Sequence, residues 1–307
     1  MNAPMGTIHL RGKHFLLPLL LLLTARDIQA GTQVQFRTAL GNVEVELYDQ
    51  QKPITTANFK RLIQSGAYQN TFFHRVIHGF VAQGGGYFSF AANATNLVAP
   101  PWSNLGSVAN FGAISNEFSV GLRLSNTNGT IAMAKLGGNP NSATSEWFFN
   151  LNNNSTNLDN QNGGFTVFGH VVRDTGPTNT GGVLGFFNLI SLDNYLANLQ
   201  RWYGTTDSVA SLFQNLPVTY SGTNAPSYGS LFYVDISLLA VQISSTNNQR
   251  QIAWNSIGGK TNIIEFTTVM PPVWQPLATT VGTGNRTVVT DATATNSFRF
   301  YRVRVAY

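Results

Sequence analysis

The residues best suited to do chemistry lie in one short stretch, Phe73-His74-Arg75-Val76-Ile77-His78-Gly79-Phe80-Val81-Ala82-Gln83-Gly84-Gly85-Gly86. It places an arginine, a phenylalanine and a glutamine in one predicted β-hairpin. Side chains alternate between faces along each strand, so Arg75 and Gln83 can project onto a common face. A guanidinium on a rigid strand is a fixed fork of hydrogen-bond donors with no acceptor. The three consecutive glycines let the backbone turn closely beside it. They do not form a phosphate loop, because no Lys-Ser/Thr pair and no helix follow. His74 reads as a structural hydrogen-bonding group rather than an acid or base.

Other chemistries narrow quickly. The 307-residue chain has no cysteine, which excludes disulfides, thiolate metal sites and cysteine nucleophiles. Its five histidines make no metal-ligand spacing, so neither metal nor cofactor is expected. Only 10% of residues are charged, against roughly 25% in an average globular protein. Asn, Thr, Ser and Gly supply the polarity and favour turns and strand edges. No basic stripe interleaves with aromatics, so nucleic acid is not an expected partner.

The elements that must position the hairpin are mostly short strands. Val34–Thr38 and Val43–Leu47 flank Leu40-Gly41-Asn42 and predict a hairpin, with Val43, Val45 and Leu47 on one face and Glu44 and Glu46 on the other. Pro53, Thr55 as a cap, then Phe59, Leu62 and Ile63 before Gly66 predict a short amphipathic helix. Further strands are expected at 72–77, 80–83, 129–134, 146–150, 165–172 and 231–236. Residues 87–128 read as an Asn-rich surface loop with a strand near Ile114–Phe118, and 183–203 as a second helical region. The fold class is mainly β: a closed antiparallel eight-stranded barrel capped by two helices. Ser244–Asn248 reads as a polar break. Strands around Ile252–Trp254, Ile263–Phe266, Thr287–Val289 and Tyr301–Val305 then predict a small β-sandwich, with Tyr301, Val303 and Val305 inward and Arg302 and Arg304 outward.

At the N-terminus, Arg11, Lys13 and His14 precede an apolar run through Leu23 that is too short to span a bilayer. Residues 1–30 therefore read as a secretory signal peptide, 31–243 as the main domain and 249–307 as the C-terminal module. The expected location is outside the cytoplasm: periplasm, cell surface or medium, with no membrane contact after cleavage.

With these residues in view, the chain resembles the cyclophilin family of peptidyl-prolyl cis/trans isomerases over roughly residues 33–242. The hairpin motif carries the resemblance. Gly129–Ala134, Asn141–Asn150, and Leu158-Asp159 with Gly164–Gly169 support it in order. The resemblance implies that Arg75 is the catalytic arginine and that Gln83 positions it. It implies that Phe80, Val81, Phe148 and Leu158 wall a proline pocket. It further implies that Ala134 and Lys135 belong to a strand whose backbone binds peptide, and that Phe165 occupies a position often held by histidine.

Several positions depart from the family pattern. Val81 replaces a methionine, His78 stands where proline is common and Asn157 where many eukaryotic members carry tryptophan. Glu146 replaces a glutamine beside the arginine, where it can pair with Arg75 and orient it, or hold it away from substrate. The expected partners are Pro-containing segments of exported proteins. The alternative is a non-catalytic module that binds such segments. The C-terminal module carries no catalytic constellation. It fits a spacer, or contact with a cell surface or with glycans through Trp254 or Trp274, although a core role for these rings fits better.

Overall fold

The computed structural model describes residues 32–306 apart from 93, 205, 240, 247–248, 257–260, 283–285 and 295–297. The predicted signal peptide, residues 1–30, lies outside the described residues, as do the side chains of Arg304 and Val305.

One antiparallel sheet dominates. Its strands are β1 (Gln33–Thr38), β2 (Gly41–Leu47), β3 (Arg75–Ile77), β4 (Val81–Gly84), β7 (Thr130–Met133), β8 (Trp147–Asn150), β9 (Val167–Asp174) and β13 (Val234–Leu238). They run in the order β13-β1-β2-β9-β7-β8-β4-β3. The sheet curls, and its two edge strands share no ladder. A single bridge between Phe72 and Tyr233, just ahead of β3 and β13, joins them. Val34, Phe36, Val43, Val45, Leu47, Val76, Ala82, Ile131, Met133, Trp147, Phe149 and Phe168 turn inward and form the main core. Glu44 keeps the opposite face, across from Gln35 and Arg173, yet is buried there.

Helix α1 (Pro53–Gln64) covers this core with Phe59 and Leu62. Its expected cap, Thr55, is not the cap: Glu117 accepts from the Ile54 N–H (3.1 Å), the Thr55 N–H (2.7 Å) and the Thr55 hydroxyl (2.7 Å). A carboxylate there meets the orphan donors and the positive end of the helix. The wholly buried Lys52 donates in turn to the carbonyls of Glu117 (2.7 Å) and Val120 (2.8 Å).

The second helix is shorter than expected. Helix α3 (Val183–Phe187) ends at Asn188, and residues 191–197 turn extended as β10 (Ser191–Leu192) and β11 (Asn194–Ala197). Asp193 and Tyr195 hold φ values of 64° and 65°, which no continuous helix allows. Helices α2 (Ser155–Leu158), α4 (Leu199–Tyr203) and α5 (Ser208–Leu212) are single turns. β12 (Leu216–Ser221) pairs with β11. The 87–128 segment has β5 (Tyr87–Ser89) paired with β6 (Leu105–Ser107), but no strand at 114–118, where Ile114 makes only one bridge to Ala143. Neither residues 87–128 nor the stretch from 199 to 228 is a bare loop. Val98 from the first packs with Leu199, Phe213, Leu216, Val218 and Tyr228 from the second in a separate small core.

The C-terminal residues form two three-stranded sheets. One joins β14 (Gln242–Thr246), β15 (Gln249–Asn255) and β18 (Arg286–Asp291); the other joins β17 (Gln275–Val281), β16 (Thr261–Thr267) and β19 (Phe300–Ala306). The predicted polar break is largely strand β14, since Ser244 and Ser245 pair with Gln251 and Arg250. Ile252, Trp254 and Ile264 are buried together, with Tyr301 and Val303 packed against them. Among the described residues no helix is long and apolar enough to cross a membrane.

Candidate active site

Backbone register assembles the site. Arg75 on β3 stands opposite Gln83 on β4, Gln83 opposite Phe148 on β8, Phe148 opposite Ala132 on β7, and Ala132 opposite Val167 on β9. Their chain neighbours Val76, Ala82, Trp147, Phe149 and Ile131 belong to the main core. This rung of side chains therefore crosses five strands on the opposite, outer face.

The rung has an apolar end and a polar end. Val81, Ala132, Phe148, Leu158 and Val167 form a buried cluster, flanked by half-buried Tyr48, Phe80, Leu124, Ala134 and Phe165. Phe148 and Phe165 meet edge to face at 5.8 Å. At the polar end the Arg75 Nη1 donates to Gln83 Oε1 (3.3 Å), and Gln83 Nε2 donates to Glu146 Oε2 (2.6 Å). His74 Nε2 lies 3.6 Å from the same Glu146 oxygen. Its ring is buried and set edge-on against Tyr87 at 5.1 Å, and its backbone N–H donates to the Gln83 carbonyl.

Burial lowers the pKa of Arg75 from its ordinary value, yet a guanidinium stays charged in proteins. For Glu146, burial alone would raise the carboxyl. The neighbouring His74 ring and the hydrogen bond from Gln83 outweigh that and hold it below the usual carboxylate value. Glu146 does not pair with Arg75: it holds Gln83, and among the described residues no carboxylate forms an ion pair with Arg75.

The glycine run is a steric requirement. A Cβ on Gly84 would stand 2.6 Å from the Trp147 ring, and one on Gly85, at φ +77°, 2.6 Å from Trp147 Nε1 and 2.7 Å from the Ser145 carbonyl. One on Gly86 would stand 2.8 Å from Glu146 Oε1. Larger residues would displace Trp147 from the core and Glu146 from the polar chain.

The apolar cluster hangs on three buried asparagines, of which only Asn150 falls in a motif block. Asn154 Nδ2 donates to the Phe80 carbonyl and to Asn150 Oδ1, both at 2.8 Å. Asn150 Nδ2 donates to Asn126 Oδ1 (3.2 Å), and Asn126 Nδ2 to Asp159 Oδ1 (2.8 Å) and the Phe165 carbonyl (3.0 Å). In so Asn-rich a chain residue type gives no signal for Asn126 and Asn154; only their placement between motif blocks does. Tyr48 and Leu124 are likewise unmarked, while Ala132 and Val167 fall inside supporting blocks without chemistry of their own.

Ala134 and Lys135 lie just past the end of β7, and the Ala134 N–H donates to the Glu146 carbonyl (2.9 Å). The Lys135 ammonium donates to the carbonyls of Asn162 (2.8 Å) and Gly164 (2.6 Å) and sits 4.7 Å from the Phe165 ring centre. Burial pushes it down to about 8. His78 is exposed at the hairpin turn against the Asn188 carbonyl, off the rung. Trp254 is buried and donates to Asn262 Oδ1 (3.0 Å), so it is not available as a glycan platform.

Comparison with known proteins shows which family the chain belongs to. The model of the cyclophilin-type peptidyl-prolyl cis-trans isomerase/CLD family matches residues 33–177. The chain is 40% identical over 153 residues to a peptidyl-prolyl cis-trans isomerase of Acinetobacter baylyi, covering 50% of this chain and 72% of that protein. It is 36% identical over 143 residues to peptidyl-prolyl cis-trans isomerase B of Escherichia coli, covering 45% and 77%. Among solved structures, the cyclophilin-type isomerase of Cryptosporidium parvum in the presence of the dipeptide Ala-Pro covers 68% of this chain and 99% of its own, at 20% identity and a TM-score of 0.40. The chain belongs to the cyclophilin-type peptidyl-prolyl cis-trans isomerase family. It is an enzyme of that activity.

Proposed function

We propose that rotation about X–Pro bonds takes place on the outer rung, with Arg75 as the catalytic donor and the Phe80, Val81, Phe148, Leu158 and Phe165 cluster as the proline pocket. An amide resists rotation by about 18–20 kcal/mol because resonance gives its C–N bond partial double-bond character. Uncatalysed X–Pro exchange is correspondingly slow. As the bond twists, the prolyl nitrogen becomes pyramidal and regains its lone pair. A guanidinium hydrogen bond to that lone pair favours the twisted transition state over the planar ground state. The apolar cluster holds the ring while the acyl side turns, and keeps out water that would favour the planar amide. Arg75 is the donor and Gln83 positions it; no covalent step is required.

The observation that carries this reading is the Arg75–Gln83 bond, which orients a guanidinium free of any carboxylate among the described residues, one strand from an apolar cluster. The same observation weakens the non-catalytic alternative, which rests on Glu146 disabling Arg75. The test is X–Pro isomerisation by the purified chain beside Arg75→Ala. The variant should lose about 10²–10³-fold in kcat/KM, the cost of removing one preorganised donor. An unchanged rate would remove Arg75 from the mechanism.

The substrates proposed are Pro-containing segments of exported proteins, on the strength of the basic and apolar run at 11–23. The Phe72–Tyr233 bridge supports treating the curled sheet as a closed barrel. The cluster shared by the two C-terminal sheets supports a small β-sandwich that serves as an appendage.

A further inference from the structure

Gln83 stands between two groups of opposite hydrogen-bonding character. Arg75 only donates, and an ionised Glu146 only accepts. A side-chain amide can satisfy both in one orientation alone, with its oxygen toward Arg75 (3.3 Å) and its nitrogen toward Glu146 (2.6 Å). Turned over, it would set N–H against N–H at one end and oxygen against oxygen at the other. A glutamine in place of Glu146 would impose no such choice, because its own amide can donate or accept.

The site is built around this carboxylate. Gly86 leaves the space that Glu146 Oε1 occupies. His74, buried under the edge of Tyr87, places Nε2 3.6 Å from the oxygen that Gln83 uses. Tyr68 and Tyr87 are the other titratable groups facing Glu146, and its charge raises both, after burial. A fixed negative charge at one end of the amide also polarises it, making Oε1 a better acceptor for Arg75.

We infer that Glu146 is a positioning residue of the isomerase reaction: it fixes the direction of the Gln83 amide and, through it, the donors that Arg75 turns to the substrate. This rests on the proposed catalytic role of Arg75. Glu146 does its work without contact with Arg75, as a neutral amide carries the orientation and leaves the guanidinium charge intact.

A double-mutant cycle on the full chain tests it, with kcat and KM for an X–Pro peptide measured separately for Glu146→Gln, Gln83→Leu and the double variant. Glu146→Gln should lower kcat by about tenfold with KM little changed, a size typical of coupled neighbours. In the Gln83→Leu background the same change should cost nothing further. Full activity in Glu146→Gln, or losses that multiply in the double variant, would overturn the inference. Arg75→Ala run alongside separates the two failures: retained activity there overturns the catalytic assignment itself. If Glu146→Gln does not fold, the unmutated chain still decides. The two Gln83 Nε2 protons, one bound to a carboxylate, should be widely separated in the ¹H–¹⁵N spectrum; a narrow, solvent-like pair would overturn the inference.

Discussion

Arg75 and Arg299 each sit near a carboxylate, one at the edge of the eight-stranded sheet and the other in the C-terminal pair of sheets. Arg299 meets Asp291 directly, donates also to the Thr293 hydroxyl and carbonyl, and lies 4.2 Å from the Phe266 ring centre. Asp291 is wholly buried and accepts in addition from Tyr301 (2.8 Å) and Thr293 (2.9 and 2.7 Å). There the charge is spent on a direct ion pair, and Asp291 at the end of β18 also takes a bond from Tyr301 on β19. Arg75 is kept one amide away from Glu146. Interposing a neutral group gives orientation without neutralisation, and that distinguishes a donor available for chemistry from a structural ion pair.

The comparison can be broken most severely at Asp291. Asp291→Ala strands a buried guanidinium and should cost about 3–5 kcal/mol of stability. Urea unfolding measures the loss, while the isomerase activity of the folded protein should stay at the wild-type level. The acid side sharpens this. Burial alone would raise the Asp291 carboxyl, but bonds from Thr293, Arg299 and Tyr301 hold it below its ordinary value. Its stabilisation is therefore fully present above the unfolded carboxyl pKa of about 3.9 and is lost as pH falls through the lower folded value. Urea midpoints should fall steeply over that acid range, and the slope should flatten in Asp291→Asn.

Arg75→Ala should show the reverse pattern: the rate loss of about 10²–10³-fold with little movement of the unfolding midpoint. A large fall in stability would make Arg75 a structural residue instead. The smallest effect concerns Lys135, whose ammonium braces Phe165. As pH rises through about 8 the charge is lost, and with it the attraction to the ring. KM for an X–Pro peptide should rise about two- to fivefold between roughly pH 7 and 9, the scale of an exposed cation–π contact. In Lys135→Met the KM should be flat across that range.

Much of this is legible in the sequence, for identifiable reasons. Alternation along two short strands is enough to put Arg75 and Gln83 on one face, because a hairpin's period of two leaves little choice. The C-terminal strands at Ile252 and Tyr301 are equally plain. Partners are what chain distance does not give. Charge sets Glu146 against Arg75, whereas register puts it at the far end of Gln83. Residues 183–203 carry helical apolar spacing, but Asp193 and Tyr195 adopt left-handed backbone that the spacing does not reveal. Lys52 and Glu117 look like surface charges and are buried partners across 65 residues. Composition hides the asparagine network by making asparagine ordinary.

At Gly84–Gly86 the sheet has no side chains of its own. The indole of Trp147 fills one side and the carboxylate of Glu146 approaches the other, each nearer than an added carbon could tolerate. The protein's main core and the outer rung are thus separated there by bare backbone alone. Repacking around Trp147 has no slack in which to be absorbed, so substitutions beside it in the core should alter turnover as well as melting.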